Sequence, residues 1–193
     1  PENAAEIDKV RWVPLAEAEG MVARQGDQVL LQSLRRFAEA GELRTAPVVI
    51  QRHGAAVSRS KWRRGEGARP LNSKGKKQAK ALPPLLDAFD PGSVVSSPWE
   101  RCLSTVEPLA KNEGLTVRTK GELTEAGHAE HPSRTEAVID RVLSEARPTV
   151  VCTHRPVLPT VIEAVRRVSR PGAALELPRE DPYLAAGEAL LLH

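Results

Sequence analysis

Val48-Val49-Ile50-Gln51-Arg52-His53-Gly54 is the stretch whose reading decides the fold: an apolar, β-branched run ends in a cation, an imidazole and a glycine. Such a run reads as a buried strand, and the glycine marks where it turns. The pattern recurs twice. Val94-Val95 leads into Ser96-Ser97-Pro98-Trp99-Glu100-Arg101, and Val150-Val151-Cys152 into Thr153-His154. Three strand ends therefore carry two arginines and two histidines. Open α/β sheets bind ligands outside the carboxyl ends of their strands, so clusters far apart in sequence can converge there. Arg-His-Gly alone is a common tripeptide; the shared placement of three clusters is the signal.

Outward from these runs, strands are expected near 46–51, 93–96, 115–117, 148–152 and 188–192, and helices near 73–88, 98–112, 134–146 and 157–168. Pro83-Pro84 should break or kink the first helix. This alternation predicts an α/β three-layer sandwich, a mostly parallel sheet with helices on both faces, preceded by a strand-helix appendage. At 193 residues, 40% hydrophobic and 27% charged, the chain is long and apolar enough to build a core and is not of disordered composition. No apolar stretch has membrane-spanning length and no signal-peptide pattern opens the sequence, which points to a cytoplasmic protein. Cys102 and Cys152 fall in an expected helix and strand, and read as buried thiols of a reducing compartment.

The net charge of +3 gathers in two clusters, Arg59, Lys61, Arg63, Arg64 and Arg69, then Lys74, Lys76, Lys77 and Lys80. The second is best read as a solvated helix face. The first flanks the expected pocket and would steer polyphosphates toward it, with Gly65 and Gly67 marking a flexible loop. Aromatic residues make up only 3% of the chain, which argues against stacking on nucleic acid. His128, His131 and His193 read as exposed loop or end residues, and no cysteine cluster accompanies them to make a metal site.

Arg52-His53-Gly54, Arg69-Pro70-Leu71-Asn72-Ser73-Lys74-Gly75, Ser96-Ser97-Pro98 with Arg101 and Thr105, and Thr153-His154 together resemble the histidine phosphatase superfamily, over about residues 46–193. The Arg-Pro-Leu segment is similar to that of the small bacterial phosphohistidine phosphatases. The resemblance implies that His53 is a nucleophile carrying the phosphoryl group, and that Arg52, Arg101 and a cationic His154 hold its oxygens. It implies no metal or other cofactor for this domain. Pro156 would open a helix whose start faces the phosphate. A carboxylate between the second and third motifs should protonate the leaving group, and Glu122 or Glu125 is the candidate. Where no acid serves, the leaving group must be a good one: a nucleoside polyphosphate, an acyl phosphate or a phosphohistidine. Arg155 stands where relatives commonly carry a small or amide residue, and joins Arg59, Lys61 and Arg69 as an expected substrate contact.

Residues 1–43 need their own account. Ile7 to Ala18 reads as a strand, a proline stop and a helix, followed by a helical segment through Val29, Leu30, Leu31, Leu34 and Phe37. Two elements cannot bury a core alone. The stretch resembles the closing strand and helix of a Nudix domain, yet the Nudix catalytic helix is not found in the sequence. The arrangement, with residues 44–193 as the phosphatase domain, resembles actinobacterial, particularly mycobacterial, MutT-type sanitising hydrolases. That implies a carboxy-terminal piece of a larger chain whose Nudix half, the partner of this domain, uses Mg2+ on 8-oxo-dGTP or diadenosine polyphosphates. The alternative is a catalytically weak assembly or nucleotide-binding domain supporting the Nudix half. In an active site of this kind His53 must be neutral and His154 protonated, which predicts a bell-shaped pH profile.

Overall fold

A computed structural model describes residues 9–43 and 45–193. The chain divides into two compact units, Pro1–Thr45 and Ala46–His193. In the first, helix α1 (Leu15–Met21) and helix α2 (Gln25–Glu39) are joined by an ion pair from Arg35 to Glu19 at 2.5 Å, and neither helix has a buried residue. The strand expected from Ile7 is corrected in its described part: residues 9–13 form no ladder, and Trp12 is fully exposed. A strand exists only through hydrogen bonds to a neighbour, and this unit offers none among its described residues. Ile7 and Asp8 lie outside the described residues.

The second unit runs β1 (Val48–Arg52), α3 (Ser73–Leu86), β2 (Ser93–Ser96), α4 (Glu100–Asn112), β3 (Val117–Thr119), α5 (Glu125–Glu130), α6 (Pro132–Ser144), β4 (Thr149–Thr153), α7 (Leu158–Val168), α8 (Pro171–Glu176) and β5 (Ala189–Leu192). The sheet order is β3-β2-β4-β1-β5, parallel throughout except for β5, which runs antiparallel to β1. Alternate residues of the buried strands face two cores. Val48, Ile50, Val95 and Val151 pack with Ile139 and Val142 of α6 and Val161, Ile162 and Val165 of α7. Val49, Val94, Val150 and Cys152 pack with Leu82 and Leu86 of α3 and Val106 and Leu109 of α4. This is the expected three-layer α/β sandwich.

Several boundaries differ from the sequence reading. Helix α3 continues through Pro83-Pro84 to Leu86 without the expected break, its apolar face held by Ala79, Leu82 and Leu86 in the core. The helix expected over 134–146 is preceded by α5, started by Thr124, whose hydroxyl accepts from the Gly127 amide at 2.8 Å. Strand β3 lies two residues later than 115–117. The supposed loop around Gly65 and Gly67 contains a 3-10 turn at Glu66–Ala68. No helix among the described residues is long and apolar enough to cross a membrane.

Candidate active site

Register brings the three motifs together. Arg52 is paired with Thr153 and Ser96 with Cys152, so β1, β2 and β4 end level. The His53 amide then donates to the Thr153 carbonyl at 3.1 Å and the Ser97 amide to Cys152 at 3.0 Å. The turn after His53 is fixed to α4: the Gly54 amide donates to Thr105 Oγ1 at 2.9 Å, and that hydroxyl donates to the Arg101 carbonyl at 2.6 Å. Close approach explains the glycine at 75, since a Cβ there would stand 2.1 Å from the Ala55 carbonyl oxygen. Gln78 on α3 accepts from the Ala55 amide at 2.9 Å and donates to the Ala186 carbonyl at 2.6 Å, tying the turn to the segment before β5.

His53 is 7% exposed. Its Nδ1 lies 2.8 Å from the Gly54 carbonyl oxygen. A carbonyl only accepts, so Nδ1 carries the proton and Nε2 presents its lone pair, which here accepts from Arg101 Nε at 3.1 Å. Burial first, then the charges of Arg101, Arg52 and Arg69, lower its pKa to about 3, against a hydrogen bond to Gly54 that acts the other way. At neutral pH the imidazole is a free base.

Arg101 is wholly buried with a partner at each nitrogen: besides His53, it donates to the Glu66 carbonyl at 2.9 Å and to Glu125 Oε1 at 2.7 Å, and its guanidinium lies 4.7 Å from the Trp99 ring centre. His154 is buried beside it, with Nε2 2.8 Å from Ser97 Oγ, Nδ1 3.7 Å from Glu125 Oε1 and the Trp99 ring against its edge. Burial first, then Arg101 and the other nearby charges, push the pKa of His154 far down, which favours the neutral ring; the cationic donor expected from the sequence draws on the charge of a bound phosphate.

Above these groups opens a cavity of about 580 Å³ lined by Arg52, His53, Ala56, Arg59, Arg69, Glu125, Arg155, Pro156, Pro159, Asp181 and Ala186. Arg52 donates to the Leu184 carbonyl at 2.5 Å, while its Nε is buried without a hydrogen-bond partner. Glu125 spans the floor, its second oxygen accepting from Arg59 at 2.7 Å. Glu66 pairs with Arg69 at 3.0 Å and Arg59 at 3.3 Å. Of the two candidate acids, only Glu125 lines the cavity. Glu122 does not, and its carbonyl instead accepts from Thr135 at 2.7 Å. Arg59, Arg69 and Arg155 are lining residues; Lys61 is exposed and is not among them. The expected helix start is also altered. Arg155–Val157 is a 3-10 turn before α7, and two prolines of the cavity wall, Pro156 and Pro159, have no N–H to offer.

Asp181, paired with Arg155, and Glu66 were not singled out in the sequence; only the turn-forming Asp181-Pro182 and the flanking glycines of Glu66 signal that the chain bends there. His128 is not a loop residue: it lies in α5 and hydrogen-bonds Thr160 at 2.7 Å, whereas His131 is exposed between α5 and α6. Cys102 and Cys152 are buried and free. Among the described residues no group of three or more His, Cys, Asp or Glu is placed to hold a metal ion.

Residues 48–137 match the model of the histidine phosphatase superfamily (branch 1). The 8-oxo-(d)GTP phosphatase of Mycolicibacterium smegmatis is 31% identical over 159 residues, 82% of this chain and 48% of that protein. The chain thus spans about half the length of that curated relative. Among solved structures, a mycobacterial glucosyl-3-phosphoglycerate phosphatase superposes with a TM-score of 0.58 at 17% identity, covering 77% of this chain and 91% of the other. A candidate phosphohistidine phosphatase, SixA, of Nakamurella multipartitia superposes at 0.54 with 26% identity, covering 76% and 83%.

Proposed function

We propose that residues 46–193 form a histidine phosphatase superfamily domain that hydrolyses phosphate from a nucleotide or other small polyphosphate through a phosphohistidine at His53, a reading supported by the family match over residues 48–137 and by the phosphatase relative. The observation that carries this reading is His53 itself, a neutral imidazole whose Nδ1 proton is held by Gly54 and whose Nε2 lone pair sits at an arginine-lined cavity. In the first step Nε2 attacks phosphorus and the bond to the leaving oxygen breaks; in the second, water attacks the phosphohistidine, the N–P bond breaks and inorganic phosphate leaves. Arg52, with its unpartnered Nε, and Arg101 serve the equatorial oxygens. For Arg101 to do so, the incoming phosphoryl group displaces the Glu125 carboxylate from it. His154, neutral when the site is empty, becomes a donor once phosphate charge lies against it.

Glu125 is the carboxyl within the cavity, but in the empty site both its oxygens accept from guanidinium groups. That favours substrates whose leaving group needs little proton help, a nucleoside polyphosphate, an acyl phosphate or a phosphohistidine. The likeness to the smegmatis 8-oxo-(d)GTP phosphatase supports the first of these, an 8-oxo-dGTP type of substrate, with diadenosine polyphosphates in the same chemical class. Arg59, Arg69 and Arg155 are the proposed substrate contacts, and no cofactor is required by this chemistry.

Residues 1–43 are proposed to complete a Nudix half using Mg2+, with 44–193 as the phosphatase domain of one cytoplasmic protein. The exposure of Trp12, Leu30, Leu34 and Phe37 and the greater length of the relative support this. Rapid quench with a labelled phosphodonor tests the central claim. An acid-labile, base-stable phosphoprotein should form and be absent from His53→Ala; normal turnover by His53→Ala overturns it.

A further inference from the structure

At the mouth of the cavity, Arg155 and Asp181 form a forked ion pair, Arg155 Nε donating to Asp181 Oδ1 at 2.7 Å and its Nη2 pairing with Oδ2. We infer that this pair occupies a second phosphate subsite, in which Arg155 exchanges the Asp181 carboxylate for the phosphate next to the transferred one in a diphosphate or longer chain. The inference rests on the phosphotransfer reading of His53, since that fixes which end of the cavity holds the reacting phosphoryl group.

Four observations and one general property of the guanidinium carry it. Arg155 follows His154 at the exit of β4 and lines the same cavity as Arg52 and His53. Its neighbours in that wall, Pro156 and Pro159, have no N–H, so an anion there gains no backbone donor from them and relies on side chains, Arg155 foremost. A guanidinium that grips a carboxylate with two parallel donors has the geometry that also grips phosphate. Both partners are about half exposed, 52% and 54%, and such surface pairs are weakly held and readily exchanged. The cavity of about 580 Å³ is of the size that takes a whole small ligand, leaving room beyond a single phosphoryl group. A monoester engages only the deep end and leaves the pair closed. Asp181 then acts as the internal competitor that a second phosphate must displace.

The test is calorimetric titration of the full chain, carrying His53→Ala and held in chelator, with inorganic phosphate, inorganic pyrophosphate and 3-phosphoglycerate. Pyrophosphate should bind at least tenfold more tightly than phosphate. Arg155→Met should remove most of that advantage, Arg155→Lys should keep part of it, and Asp181→Asn should raise the pyrophosphate affinity severalfold. An advantage unchanged in Arg155→Met, weaker pyrophosphate binding in Asp181→Asn, or no binding of either anion overturns the subsite. A 3-phosphoglycerate affinity matching that of pyrophosphate and equally dependent on Arg155 would overturn the choice of phosphate as its occupant. Because binding is read without turnover, failure to trap a phosphohistidine in the wild type would refute the catalytic reading alone.

Discussion

The deep end of the cavity and its mouth are both built from arginines facing carboxylates, yet they are made differently. Below, Arg101 and His154 are fully buried, and each nitrogen of the Arg101 guanidinium has a partner in His53, Glu66 or Glu125. Above, Arg155 and Asp181 are half exposed and hydrogen-bond each other, with the Arg52 charge nearby. A buried cation with several partners is preorganised and costly to disturb, whereas an exposed pair is screened and exchangeable. The contrast separates chemistry from selection: the floor is buried and held by several partners, of which only Glu125 has to give way, whereas the mouth exchanges one exposed partner.

The largest effect should come from the floor. Replacing Arg101 with methionine removes a donor to the developing charge, leaves His53 Nε2 without its donor and leaves Glu125 with Arg59 as its remaining guanidinium partner. Loss of one such donor typically costs about a hundredfold or more in kcat. Single-turnover kinetics on protein of unchanged circular dichroism would measure it, and a loss below about threefold would reduce Arg101 to a structural cation.

Next comes the turn that carries His53. A Cβ at position 75 would stand 2.1 Å from the Ala55 carbonyl oxygen, a contact with backbone that no rotamer change relieves. Gly75→Ala should therefore destabilise the domain by about 1–3 kcal/mol, as overpacking commonly does, and slow turnover by moving His53. Urea unfolding measures the first, and an unchanged midpoint would mean that the α3–turn contact is looser than described.

How much of this was legible before the structure depends on what each feature needs. Runs such as Val48–Ile50 and Val150–Cys152 announce buried strands by composition, and their level ends follow from the rule that parallel strands of one sheet share a direction. Lys9–Val13 has the same β-branched look but no partner to make a ladder, so composition misled there. Arg52, His53, Arg101 and His154 lie at strand exits or one helical turn beyond, where the fold alone gathers them. Asp181 and Glu66 reach the cavity through irregular segments whose path no periodicity encodes, and they went unseen. The protonation of His154 is not legible in the same way: it depends on burial, on the distance to Arg101 and on the charge beside the ring, none of which sequence contains.

That neutral pair of imidazoles gives the floor a pH signature of its own. His53 and His154 have folded pKa values below the ordinary 6.5, and half-buried His128 is lowered in the same direction by desolvation. Below pH 6.5 the unfolded chain takes up protons that the folded chain does not. Stability is therefore complete above that pH and is lost as pH falls, through the window from 6.5 toward about 3 for His53 and further for His154. Each imidazole contributes a slope of up to roughly 1.4 kcal/mol per pH unit. Glu66, whose pKa is lowered, against the effect of burial, by its hydrogen bond to Arg69, adds a loss of the same sign only as pH nears the ordinary carboxylate range, so the imidazoles dominate the upper part of that interval. Melting temperature should fall across that interval in the wild type and fall less in His154→Gln. A flat wild-type profile would mean that these rings are not held neutral by burial.

The smallest effect belongs to the mouth. Asp181→Asn breaks the fork to Arg155, but both groups face solvent, so their attraction is screened and offset by the cost of ordering two side chains. Arg155 has a raised pKa and Asp181 a lowered one because each hydrogen-bonds the other, yet that mutual preference leaves little stability to lose at such exposure. The melting temperature should be unchanged within error at neutral pH and at moderate salt. A clear drop would make the pair part of the scaffold, fixing the segment before β5 in place, and the mouth would then resemble the floor. An unchanged melting temperature keeps the two ends of the cavity distinct, because only a pair that contributes nothing measurable to folding is free to be exchanged for a ligand.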